Sequence, residues 1–228
     1  MRRQLFWLSV YAIAMAYLEA SVVIYIRELY HPENIRMIFP SQPLSMFDFW
    51  VEIGREAATI IMMLGVAFIF ERKNGTRIFA AFVYQFGIWD IFYYIWLKTL
   101  IGWPVSWTEW DILFLIPWVW LGPWITPAAI ALPMAIWGGM ILGSKKEHTF
   151  SGWPLRLFVA GAVLDLISFL QPAVTVMSQS GVKGFTNYHP GNFWWWLFIP
   201  GYLLMITGLF QTFYIQSPKP IADPPRGS

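Results

Sequence analysis

Residues 47–70 read FDFWVEIGREAATIIMMLGVAFIF. About 20 apolar residues carry a helix across the ~30 Å hydrocarbon core of a bilayer, and this stretch is long enough to do so. Three charges nevertheless stand in its first half: Glu52, Arg55 and Glu56. With Thr59 they fall at i, i+3, i+4 and i+7, a single stripe of an α-helix. Ionisable side chains at membrane depth are costly, and a functional role is the default reading for them. The segment therefore predicts both a spanning helix and a polar site within the span.

The rest of the composition agrees. Of 228 residues, 57% are apolar and 12% charged, with a mean hydropathy of +0.53; soluble domains run near ~45–50% and ~25%. Disorder and a nucleic-acid-binding domain are excluded on these figures, and a net charge of +2 is too small to suggest a polyanionic partner. Cysteine is absent, which removes disulfides, thiolate metal sites, iron–sulfur clusters and c-type haem attachment. Fifteen Trp and ten Tyr fit thick aromatic belts at the two membrane interfaces.

Five further stretches resemble residues 47–70. Spans are predicted at 4–27, 47–70, 77–98, 124–143, 154–176 and 193–215. The apolar region from Asp111 to Gly143 would reach ~50 Å as one helix, too long for one crossing, and it carries Pro117, Pro123, Pro127 and Pro133. It divides into a short interfacial or re-entrant helix over 109–121, followed by span four. With the N-terminus inside, ten Lys and Arg flank the spans on the cytoplasmic side and four on the other, the asymmetry that cytoplasmic loops show. The expected fold is an all-α, polytopic membrane helix bundle of six transmembrane spans with both termini cytoplasmic, in a prokaryotic inner membrane. Residues 1–216 form a single membrane-embedded helical domain, and the proline-rich 217–228 is a flexible C-terminal tail.

The candidate site follows from depth. Glu19, Glu56 and Asp90 each lie eight or nine residues inside the outer end of their span, ~12–14 Å down at 1.5 Å per residue. Glu52 is a turn nearer the surface, and Asp165 is slightly deeper. Asp90 shares a stripe with Tyr93 and Tyr94, and Asp165 shares one with Gly161, Ser168 and Pro172. Five acids face one arginine, Arg55. An isolated buried carboxylate takes up a proton or finds a cation, and Arg27 and Lys98 are placed to reach inward from the rim. Glu19, Glu52, Arg55, Glu56, Asp90, Tyr94 and Asp165 are therefore the predicted ligand- or ion-binding residues. Asp111 reads as a cap or first-turn residue of the short helix, and Thr207 with Gln211 as an interhelical hydrogen bond.

Three functions remain open on these residues. An outward-facing carboxylate pocket suits the binding or transport of a cation or small protonatable solute with proton coupling. The same acids could serve an intramembrane enzyme acting on a lipid or quinone-like substrate. In that case the acids would do acid–base work, or Glu19, Glu56 and Asp90 would hold a divalent metal with the loop residues His31 and His189. Alternatively the acids form a structural network around Arg55 in an accessory subunit of a larger membrane complex. The expected partners are the bilayer and a second copy or other membrane subunits.

Overall fold

In a computed structural model of the chain, residues 2–39, 45–186, 188 and 190–214 are described. The predicted tail and His189 lie outside them. Six α-helices follow in order: α1 Arg2–Tyr30, α2 Met46–Phe70, α3 Gly75–Ile101, α4 Ile125–Gly143, α5 Gly152–Ser180 and α6 Trp195–Gln211. The first five are long and apolar enough to cross a membrane, whereas α6 is shorter. Each lies within a few residues of a predicted span.

Local chemistry explains the helix ends. Ser45 caps α2 by accepting the Asp48 amide, and Asn74 caps α3 by accepting the Arg77 amide. Gly102 closes α3 in the left-handed region at φ 70°, and its amide returns to the Lys98 carbonyl. The Arg36 guanidinium also reaches this end, donating to the Ile101 carbonyl at 3.2 Å.

Small residues decide which helices pair. Gly87 of α3 lies so close to Ala131 and Ala135 of α4 that an added Cβ would collide with both, and Gly138 of α4 does the same against Ala80 and Tyr84. On the other side, Gly161 of α5 meets the backbone of Gly201 in α6, and Gly208 of α6 meets Pro154 and Phe158. In an apolar solvent, close backbone approach replaces the hydrophobic drive between helices. The result is an α3–α4 pair flanked by α1 and α2, and an α5–α6 pair beside it.

One element departs from the expected fold. Where a helix is predicted over 109–121, the chain forms an antiparallel hairpin, β1 Trp110–Phe114 and β2 Trp120–Pro123, with Asp111 opposite Gly122. Proline disfavours the helical region for the residue before it, so Pro117 blocks a helix at Ile116. The flanking Trp, Ile, Phe and Val residues suit a strand. Apolar runs this short carry no period that separates the two states. The hairpin packs on α5, where Gly122 lets Phe169 and Phe193 approach. Its Leu121 is fully buried.

Candidate functional site: an acidic cavity between three helices and a hairpin

The buried stripe of α1 runs Leu8, Ala12, Met15, Ala16 and Ala20 against α3. Continued toward the C-terminal end of α1, the same face presents Glu19, Val23 and Arg27, and there the packing opens. Among the described residues α1 and α2 hardly touch along their lengths. Between them, closed behind by α3 and the hairpin, lies a cavity of about 690 Å³.

Six of the seven predicted ligand-binding residues line it: Glu19, Glu52, Arg55, Glu56, Asp90 and Tyr94. The Arg55 guanidinium joins two helices. It is ion-paired with Glu19 of α1 and also holds Glu52 of its own helix, at 2.8 Å from Nη2 and 2.9 Å from Nε. Glu56 turns the other way and accepts the Leu115 amide of the hairpin loop at 2.8 Å. Asp90 is 8% exposed, and among the described residues its Oδ2 has no hydrogen-bond partner. Packing around this wall is aromatic, with Trp89 and Tyr93 stacked at 6.5 Å and Tyr93 edge-on to Tyr94 at 4.8 Å.

Three predicted placements are corrected. Asp165 is not brought to the cavity. Its stripe is the face by which α5 meets α6, and its carboxylate abuts Gly201. Among the described residues neither oxygen has a well-aligned hydrogen-bond partner there. Asp111 is no helix cap: it lies in β1, 2% exposed, with Arg27 at 3.3 Å and the Tyr94 hydroxyl donating to it at 3.3 Å. Burial pushes the Asp111 carboxyl up to about 6, against the downward pull of the Arg27 guanidinium. Thr207 turns back on its own helix, donating to the Leu203 carbonyl at 2.7 Å, instead of reaching across.

Arg27 does reach inward, as its rim position predicts. It is buried, and its guanidinium carbon stands 4.2 Å from the centre of the fully buried Trp103 ring. Lys98 does not, because its ammonium donates to the Pro104 carbonyl at 2.7 Å. Among the described residues the cavity thus carries five carboxylates against two guanidiniums, a formal charge of −3 if all are ionised. Asp111 is the acid that the sequence reading missed; its signal was a lone carboxylate inside an apolar, strand-forming run.

His31 lines the cavity and is 7% exposed. Burial and the neighbouring Arg27 hold its imidazole below the ordinary histidine range. Among the described residues no group of three or more His, Asp or Glu side chains is placed to hold a metal ion. His31 therefore does not join Glu19, Glu56 and Asp90 in such a group, and His189 lies outside the described residues. Comparison with protein-family models, curated proteins and solved structures finds no match to this chain.

Proposed function

We propose that this chain is a six-span membrane protein with both termini cytoplasmic, whose cavity faces the outer side and binds a small cationic or protonatable solute in exchange for protons. The single observation that supports this reading is the convergence, among the described residues, of five carboxylates and only two arginines on one aromatic-walled cavity. Carboxylates this far in excess at low dielectric are neutralised by protons or by a cation, so the two compete for the same groups. Arg27 already holds Asp111, and Arg55 holds both Glu19 and Glu52, which leaves Glu56 and Asp90 to meet the solute. Aromatic faces beside them add attraction for an organic cation. The positive-inside count supports an orientation with the cavity end of α1, α2 and α3 on the outer side. α6, at 17 residues, spans ~25 Å and completes the sixth crossing with the turn that follows it.

The test is calorimetric titration of the full chain in lipid nanodiscs with tetramethylammonium. Saturable binding is expected, accompanied by proton uptake or release that is read by repeating the titration in buffers of different ionisation enthalpy. The double variant Glu56→Gln/Asp90→Asn should weaken binding by at least about tenfold, as the coulombic attraction of two carboxylates for the quaternary ammonium is lost. Unchanged binding in the variant would overturn the proposal.

A further inference from the structure

Two walls of the cavity, α1 and α2, are held apart, and among the described residues two polar bridges join them. At the inner level Arg55 pairs with Glu19. At the outer level the Tyr30 hydroxyl donates to Asp48 at 2.6 Å. Glu19 and Tyr30 are eleven residues apart on one helix, ~16 Å along its axis. Between the bridges the cavity lining is Val23 and Ile26 from α1 with Phe49 and Ile53 from α2; the charged residues of the same stretches, Arg27 and Glu52, are already held by Asp111 and Arg55. The rim on the α2 side is Met46 and Trp50, which line the cavity while remaining 69% and 62% exposed on the outer face of the helix. In a bilayer that face meets acyl chains. The slot is therefore a window from the acidic interior to the lipid.

We infer that the ligand of this site is a cationic amphiphile, its positive head seated at Glu56 and Asp90 and its apolar chain lying in the window between α1 and α2. This rests on the cation-binding reading above and adds the apolar half of the ligand. Charge complementarity fixes the head. Among the described residues the cavity is formally −3, and the Asp90 carboxylate, more than nine-tenths buried, keeps an unpartnered oxygen. The window fixes the tail: a small hydrated cation would leave Val23, Ile26, Phe49 and Ile53 facing water inside the protein. An alkyl chain covers them and continues into the bilayer without a step in polarity. The two bridges bound the ligand in height, because a chain lying between them need break neither ion pair nor hydrogen bond.

The absence of native cysteine gives a clean test. Val23→Cys and Ile53→Cys, one on each wall, are made singly in the full chain, with Leu18→Cys on the lipid face of α1 as control. The rate of N-ethylmaleimide labelling is followed in lipid vesicles against the free aqueous concentration of dodecyltrimethylammonium, tetramethylammonium or dodecanol. Dodecyltrimethylammonium is expected to protect both wall cysteines, and Leu18→Cys not at all. Its half-protecting concentration should be at least about tenfold below that of tetramethylammonium, the factor that burying two methylene groups supplies. Equal potency of the two cations, or protection of Leu18→Cys as strongly as the wall positions, would overturn the amphiphile inference and leave cation binding standing. Dodecanol protecting as well as dodecyltrimethylammonium would overturn the cationic head and the cation-binding reading with it.

Discussion

Replacing Arg55 by alanine removes the guanidinium that lies between Glu19 and Glu52, and with it the inner tie between α1 and α2. Two carboxylates are left without a counter-charge in a site where the three side chains are 20%, 11% and 14% exposed for Arg55, Glu19 and Glu52. Truncating one partner of a buried pair costs ~3–5 kcal/mol. Because these groups border a cavity and are not fully dry, ~2–4 kcal/mol is the appropriate range here. For a chain of this size each kcal/mol moves the melting point by ~2–4 °C, so Arg55→Ala should melt about 5–15 °C below the wild type. The assay is loss of the monodisperse peak after heating in one detergent at one heating time, which reads apparent stability even when unfolding is irreversible. Glu19→Gln supplies the second corner of a double-mutant cycle. Once Arg55 is gone, removing the Glu19 charge should cost nothing or recover part of the loss, giving a coupling of at least ~1 kcal/mol. Melting of Arg55→Ala within ~2 °C of wild type, or simple additivity in the cycle, would refute the bridge.

Three other outcomes follow from the same packing. Gly161→Leu should destabilise by ~1–3 kcal/mol through overpacking against Gly201 and Met205, while Gly54→Ala, where an added Cβ meets nothing, should not; equal melting of the two variants would contradict the α5–α6 contact. Asp111 has a folded pKa of about 6 against an ordinary 3.8, so the folded chain keeps a proton that the unfolded chain loses. Stability should therefore fall as pH rises from ~4 to ~6, by up to ~1.4 kcal/mol per unit. Asp111→Asn should remove that part of the slope, and an unaltered profile would contradict the assignment. Asp165→Asn removes a poorly partnered carboxylate at the α5–α6 contact, away from the cavity. It should leave tetramethylammonium affinity within about twofold of wild type, below 0.5 kcal/mol, with melting unchanged or raised; a larger loss of affinity would restore Asp165 to the site.

How much of this was legible in the sequence depends on which force set each feature. The long helices were legible because burial in hydrocarbon demands length and apolarity, both of which can be counted along the chain. The convergence of Glu19, Glu56 and Asp90 was legible because helical rise converts sequence position into depth. Depth is not azimuth, however. Asp165 has nearly the right height, but Gly161 turns its stripe toward α6, and only knowing which glycine meets which backbone decides that. The hairpin was not legible either. Residues 109–121 carry no period, and their state is set by Pro117 together with partners remote in sequence, Phe169 and Phe193 on one side and Glu56 on the other. Asp111 went with the hairpin: read on a helix it is a cap, whereas on β1 it faces Arg27 from the opposite wall.

The central claim is that Glu56 and Asp90 meet a cation inside one cavity. The most direct measurement is the infrared difference spectrum of lipid-reconstituted protein on adding dodecyltrimethylammonium, read in the carboxyl and carboxylate bands. The account predicts bands that shift on addition, with one component missing in Glu56→Gln and another in Asp90→Asn. A flat difference spectrum, or bands that persist unchanged in both variants, would contradict it.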